Sequence, residues 1–386
     1  MPKGPKVLVV AGEASADRHA ASLVEQWRRL DPGLDVYGVG GYHLRQAGAR
    51  LLLDFSQVGV VGILEVIPNL RRFYQAYCQL LASLETERPD LILLLDLPDF
   101  NLFFAGRAKA RHPEIPILYY ISPQVWAWRK GRVKKIKRVI NQMLVLFPFE
   151  KDFYRRHGVE VEFVGHPLQD QAQASASQEE LRRRFEVASA SPVVALLPGS
   201  RAEELRLYLP VLKGAVSRLL ARHPQIAFLV AAAPTVQSET IAAQLSPESL
   251  PLKIIEGATY DVLAAADLAL VASGTATLET ALLQVPMVIL GKVSWPNYLL
   301  ARPWVSVPFY GMPNLLSGRE IVPELTMWDC TAERVAAEAE AILMDRLRRE
   351  AIRQDLARVR DLLGPAGASA RAAGAVHAFL QGRRLL

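Results

Sequence analysis

The amino-acid sequence predicts an α/β protein of two doubly wound domains with an interdomain cleft, and three observations carry that reading. Short continuous apolar runs bounded by Gly, Pro or Asp recur along the chain. A polar, Ala/Ser/Gln-rich stretch around residues 166–190 interrupts them once, after which the pattern restarts. Each half opens alike, with an apolar run, a loop of small residues and a helix-length segment. Unbroken apolar strands alternating with helix-length segments mark a parallel sheet covered on both faces, because neither face meets water and no polar alternation is needed. A length of 386 residues also favours two domains over one.

In chain order, the first domain is expected to place strands at KVLVVAG (6–12), DVYGVGG (35–41), DLILLLDLP (90–98), PILYYIS (116–122), QMLVLFP (142–148) and VEFVGHP (161–167). Between PILYYIS and QMLVLFP, RVKKIKRVI puts Val133, Ile136 and Ile140 on one helical face. Arg132, Lys134, Lys135, Lys137 and Arg138 cover the other faces, which predicts an amphipathic helix docked on a sheet with a solvated basic rim. The second domain is expected to place strands at PVVALLPGS (192–200), IAFLVAAA (226–233), LKIIEG (252–257), LALVASG (268–274) and PMVILG (286–291). The tail from 332 to 363 reads as helix by spacing and charge pairing.

Composition excludes several function classes. Net charge is only +6, which suits an anionic partner and falls short of a protein that coats nucleic acid. Cys78 and Cys330 stand far apart with no CxxC or Cys/His spacing, so neither a disulfide framework nor a zinc site is expected, and a reducing cytoplasm is the expected setting. The apolar run at the start ends at Gly12-Glu13, too short for a signal h-region. VGVVGILEVI (58–67) is broken by Glu65 and is about half the length a bilayer crossing needs, so membrane contact is expected to be peripheral, with 58–77 as the candidate surface or, equally, a buried core helix.

Four loops carry chemistry. The openings GEASAD (12–17) and PGSRAEE (198–204) each lead from a strand into a helix, where backbone N–H groups and the helix dipole favour an anion. Neither is GxGxxG, so a nicotinamide nucleotide is not favoured. In the second loop Gly199 turns the chain, Ser200 is placed to cap, and Arg201 supplies a planar fork for phosphate oxygens, together describing a diphosphate site; a capped helix with a surface arginine is the plainer alternative. VASGTATLET (271–280) repeats the device with Ser273, Gly274 and Thr275, and Glu279 one turn on is suited to ribose hydroxyls, or is an exposed glutamate on a close-packed helix. DLPDFN (96–101) sets Asp96, Asp99 and Asn101 after an apolar strand, at the mouth of the sheet where a carboxylate can serve as general base; either aspartate is alternatively a turn cap. No DxD or other metal spacing is present, so no metal or other cofactor is expected and the charge of a departing diphosphate falls to helix dipoles and Arg201.

The ordered series GEASAD, GVGG, DLPDFN, YYISPQVWAWR, LFPFE, FVGHPL, LLPGSR, SGTATLE and PNLLSGREIVPEL closely resembles the lipid-A-disaccharide synthase family from about residue 6 to 330. The resemblance implies a GT-B glycosyltransferase with two Rossmann-like domains. It implies an inverting reaction that joins UDP-2,3-diacylglucosamine to 2,3-diacylglucosamine 1-phosphate through a β-1,6 linkage and releases UDP. Residues 1–168 would form the acceptor domain, 169–190 a linker, 191–345 the UDP-sugar domain, and 346–386 terminal helices that pack back on the first domain. Carried over by motif, Asp99 is the leading general base with Asn101 beside it, and Glu13 and Ser15 join the catalytic group. Gly199, Ser200, Arg201, Glu204, Ser273, Gly274, Thr275, Glu279 and Asn314 are implied on the donor side. Asp17, Ser122, Gln124, Trp126 and Trp128 are implied on the acceptor side. The implied partners are a UDP-sugar, an acylated sugar phosphate and the cytoplasmic face of the inner membrane, with no nucleic acid.

Two stretches depart from the family pattern. Ala16 and Ala20 stand where glycines are usual, and Arg18 and His19 where apolar residues are usual. A methyl group can narrow a site where backbone and substrate meet closely. The segment 291–314 carries extra aromatics and prolines. A GT-B relative with another acceptor, a UDP-sugar epimerase and a non-catalytic membrane-binding paralogue are the alternative readings.

Overall fold

A computed structural model describes residues 4–54, 63–126, 131–188, 191–233, 236–245, 250–294 and 307–384, with the side chains of Ala14, residues 63–70, 72, 73 and 384 left aside. The chain divides into two compact units, Met1–Pro167 with Leu363–Leu386, and Leu168–Leu362.

Unit 1 is built on a seven-stranded parallel sheet of order β3-β2-β1-β4-β5-β6-β7, from β1 (Lys6–Ala11), β2 (Asp35–Gly40), β3 (Arg50–Asp54), β4 (Leu91–Leu95), β5 (Ile117–Tyr120), β6 (Gln142–Val145) and β7 (Val161–Phe163). The central strands are buried throughout, as LILLL in β4 requires, and the edge strands are only partly covered. Helices α1 (Ala14–Leu30), α2 (Tyr42–Gln46), α3 (Ile63–Glu87), α4 (Pro98–Arg111), α5 (Arg132–Val139) and α6 (Pro148–Arg156) connect the strands. One core groups Leu8, Val10, Ile92 and Leu94 with Leu80 and Leu84 of α3 and Phe104 of α4. In α5 Val133, Ile136 and Val139 are buried while Lys134, Lys137 and Arg138 are exposed, the amphipathic pattern its spacing predicts.

Unit 2 holds a six-stranded parallel sheet of order β10-β9-β8-β11-β12-β13: β8 (Val193–Leu197), β9 (Ala227–Ala232), β10 (Leu252–Glu256), β11 (Leu268–Ala272), β12 (Met287–Gly291) and β13 (Glu324–Thr326). Its helices are α7 (Leu168–Gln171), α8 (Gln178–Arg184), α9 (Ala202–Arg222), α10 (Ser238–Leu245), α11 (Thr259–Ala265), α12 (Thr275–Leu282), α13 (Met312–Ser317), α14 (Ala332–Met344) and α15 (Arg346–Leu362). Two parallel sheets with flanking helices make the GT-B-like doubly wound architecture. The segment 169–190, read from sequence as a linker, carries α7 and α8. Arg182 there donates to Ala265 O and pairs with Asp267, which fastens α8 to unit 2. The final helix, α16 (Ala368–Arg384), belongs to unit 1 and packs on α1, with Trp27 Nε1 donating to His377 Nδ1 at 3.2 Å. No helix among the described residues is long and apolar enough to cross a membrane. Residues 58–62 of the candidate membrane surface lie outside the described residues.

Gly38 shows how closely the strands meet. Its φ is +148°, and a Cβ there would fall 1.9 Å from the carbonyl oxygen of Val9 on the neighbouring strand. Backbone at the centre of a sheet has no room to yield, so Gly38→Ala is expected to cost more than about 3 kcal/mol. A urea midpoint equal to that of the parent chain would contradict this packing.

Candidate functional site

In a doubly wound sheet the crevice lies where strand order reverses, outside the carboxyl ends of the two central strands. Unit 1 reverses between β1 and β4, whose last paired residues are Ala11 and Leu95. The GEASAD and DLPDFN loops leave from these two ends.

The β4–α4 loop is strained and tightly held. Asp96 and Leu97 both have positive φ, +52° and +40°, a conformation L-residues adopt at a cost. Asn101, fully buried, donates from Nδ2 to the carbonyls of Leu95 (3.0 Å) and Asp96 (2.7 Å), and the hydroxyl of Tyr119 also donates to Asp96 O. Asn101 therefore shapes the loop from beneath. Asp99, in the first turn of α4, is 72% exposed and paired with Arg132 Nη2 of α5. So Arg132, read from sequence as part of the solvated rim, turns inward to the candidate base. Asp96 faces the other way: burial pushes its carboxyl up, opposed by hydrogen bonds from Leu97 N–H and the Glu13 side chain. Glu13 and Asp96 thus form a carboxyl pair at the switch point that the sequence reading did not join.

Across the same loops, Asp17 is 4% exposed and accepts from Gly41 N (2.6 Å) and Leu44 N (3.1 Å) on Oδ1 and from His43 N (2.9 Å) on Oδ2. Its carboxylate caps α2, which joins GEASAD to GVGG physically. Ser15 is exposed at the start of α1. Ala16 and Ala20 are buried, so their methyl groups pack into the core of unit 1. Burial lowers His19 to about 4 and His166 to about 3, keeping both imidazoles neutral. After β5, Ser122 is buried with its Oγ 2.7 Å from Tyr154 OH, Gln124 is exposed, and Trp126 is buried with Nε1 donating to Glu150 at 3.0 Å. Trp128 lies outside the described residues.

Unit 2 reverses between β8 and β11, so the PGSR and SGTAT loops leave neighbouring carboxyl ends. Gly199 has φ +106°, and a Cβ there would strike Glu204 Oε2. The cap of α9 comes from Glu204: Oε2 accepts from Ser200 N (2.8 Å) and Arg201 N (3.2 Å), and Oε1 pairs with Arg201 Nη1 (3.1 Å). Ser200, expected as the cap, contributes its backbone N–H. Gly274, φ +148°, precedes α12 with open space around its Cα, and Gly274 and Thr275 are exposed, whereas Ser273 is half-buried and donates its N–H to Leu290 O. Glu279 accepts from Tyr260 OH of α11 at 2.9 Å, a partner sequence spacing does not reveal. Asn314 is fully buried: Nδ2 donates to Val322 O and Glu324, and Oδ1 accepts from the N–H groups of Ile321 and Val322, so it orders the approach to β13. Among the described residues no group of three His, Cys, Asp or Glu side chains is placed to hold a metal ion.

Residues 7–379 match the family model described as lipid-A-disaccharide synthetase. The chain belongs to the lipid-A-disaccharide synthase family. It is 45% identical over 368 residues to the lipid-A-disaccharide synthase of Syntrophus aciditrophicus, covering 95% of this chain and 96% of that one. It is 43% identical to that of Geobacter metallireducens, covering 98% of each. Among solved structures it resembles the S. aureus MnaA–UDP complex, with a TM-score of 0.66 at 14% identity over 98% of this chain and 97% of that one. At that identity the likeness concerns the fold, while family membership rests on the synthases.

Within this family member, the nearly buried Asp17 carboxylate accepts from three backbone N–H groups. Asp17→Ala is expected to cost about 3 kcal/mol by leaving buried donors unpaired. Equal urea midpoints for variant and parent would show that α2 does not depend on this cap.

Proposed function

We propose that the chain is an inverting glycosyltransferase that condenses UDP-2,3-diacylglucosamine with 2,3-diacylglucosamine 1-phosphate to give lipid A disaccharide 1-phosphate and UDP. The observation that carries this reading is the synthase family match over residues 7–379. The switch-point loops give each unit a share of the chemistry: unit 1 takes the acceptor and unit 2 the nucleotide of the donor. Asp99, exposed on α4 and oriented by Arg132, removes the proton of the acceptor 6-hydroxyl. As it does so, O6 forms a bond to the donor anomeric carbon. The bond from that carbon to the UDP oxygen breaks on the opposite face, and its electron pair leaves with UDP. Attack opposite the leaving group inverts the centre and yields the β-1,6 linkage. Charge on the leaving diphosphate is met by Arg201 and by the N-termini of α9 and α12. Glu279, oriented by Tyr260, takes ribose hydroxyls. The acyl chains of both substrates favour peripheral placement on the cytoplasmic face of the inner membrane, where the basic face of α5 suits anionic lipid.

Glu204 adds a condition. The N–H groups assigned to diphosphate are bonded to its carboxylate, so binding UDP there exchanges an internal anion for an external one. Glu204→Ala is then expected to bind UDP about tenfold more tightly by calorimetry, despite losing a cap worth about 1 kcal/mol. Weaker UDP binding would show that Glu204 supports the nucleotide instead.

The activity is tested by incubating the protein with both diacylated sugars and following UDP and disaccharide together. Disaccharide formed in step with UDP is the expected result; UDP or an epimerised sugar without disaccharide would refute the transferase reading. Asp99→Asn should lower kcat by about 10²–10⁴-fold, the usual share of a general base. If Asp99→Asn turned over normally while Asp96→Asn did not, the base would be Asp96.

A further inference from the structure

The β6–α6 turn of unit 1 buries a carboxylate that no step above uses. Glu150 is 2% exposed. Its two oxygens do different work. Oε2 accepts from Leu146 N (3.2 Å) and Phe147 N (3.1 Å), closing the N-terminus of α6. That is all a helix cap requires, and one oxygen supplies it. Oε1 reaches away from the helix to accept from Trp126 Nε1 at 3.0 Å, in the segment after β5. The indole is further fixed by its edge-to-face contact with Phe149, ring centroids 4.9 Å apart. Ser122, at the other end of that segment, is bonded to Tyr154 on the helix Glu150 caps and donates to the carbonyl of Pro123. Between these two anchors lie Pro123, the exposed Gln124 and Val125. A fully buried polar network of this kind holds one geometry, because any other leaves a buried donor or acceptor unpaired.

We propose that Glu150 is a positioning residue for the acceptor: through Oε1 it fixes Trp126, and through Trp126 the segment 122–126 at the carboxyl end of β5. The proposal rests on the reading of that segment as acceptor-facing. Two variants separate the tether from the cap. In Glu150→Gln the amide oxygen can keep both backbone N–H groups, which turns its NH2 toward the indole N–H and sets donor against donor. Trp126→Phe removes the indole donor and keeps an aromatic ring against Phe149, with Glu150 and its cap untouched.

For both variants, steady-state kinetics on the full-length protein should show acceptor KM raised about tenfold, the measure of one buried hydrogen bond, with UDP affinity unchanged. Amide exchange over residues 121–126 should rise in both, and the double variant should be no worse than the worse single one. Unchanged amide exchange in folded variants would overturn the tether itself. Faster exchange with unchanged acceptor KM would also overturn the proposal, and would place the failure in the acceptor reading of the segment. If Glu150→Gln fails to fold, Trp126→Phe alone decides by the same two readouts.

Discussion

A parallel strand buried on both faces ends in a loop whose backbone N–H groups have left the ladder and do not yet belong to a helix. Something must accept from them. In this protein the acceptor is repeatedly a side-chain carboxylate. Asp17 serves α2, Glu150 serves α6 and Glu204 serves α9. Glu324 takes the N–H groups of Tyr310 and Gly311 ahead of α13. The loops at the carboxyl ends are thus fixed in shape by local anions, and the side chains offered for chemistry are those left over.

That division explains why residues of one motif behave differently. In DLPDFN the asparagine is spent beneath the loop and Asp96 turns toward Glu13, while Asp99 stands exposed beside Arg132. The strain of two successive positive-φ residues is balanced by Asn101 and Tyr119, so a surface carboxylate acquires a defined direction. In unit 2 the same economy leaves Gly274 and Thr275 open while Asn314 is committed to backbone.

The architecture was legible in the sequence because parallel strands covered on both faces write themselves as unbroken apolar runs. β3 and β13 escaped notice for the converse reason: they are short edge strands, RLLLD and ELT, with mixed polarity. The linker reading of 169–190 followed its polar composition, yet a polar surface helix such as α8 needs only Leu181 inward and two bonds from Arg182 to be held. The site loops were legible as glycine- and serine-containing turns between strand and helix. What a sequence does not display is where a polar side chain spends its hydrogen bonds. Asp17 finds its partners 24 to 27 residues away and Arg132 finds Asp99 33 residues away. Such pairings depend on strand order, which spacing along the chain does not encode.

Glu204 has a consequence for selectivity. A carboxylate held in the nest of N–H groups at α9 is a tethered competitor whose effective concentration does not change with the medium. Under the proposed placement of the diphosphate, every incoming anion would have to displace it, and the apparent affinity of each would be reduced by the same factor. Inorganic phosphate or pyrophosphate brings no further contacts to offset that factor. A nucleotide seated there as proposed, with its ribose on Glu279, would, so the loop would discriminate against small anions without a single contact devoted to excluding them.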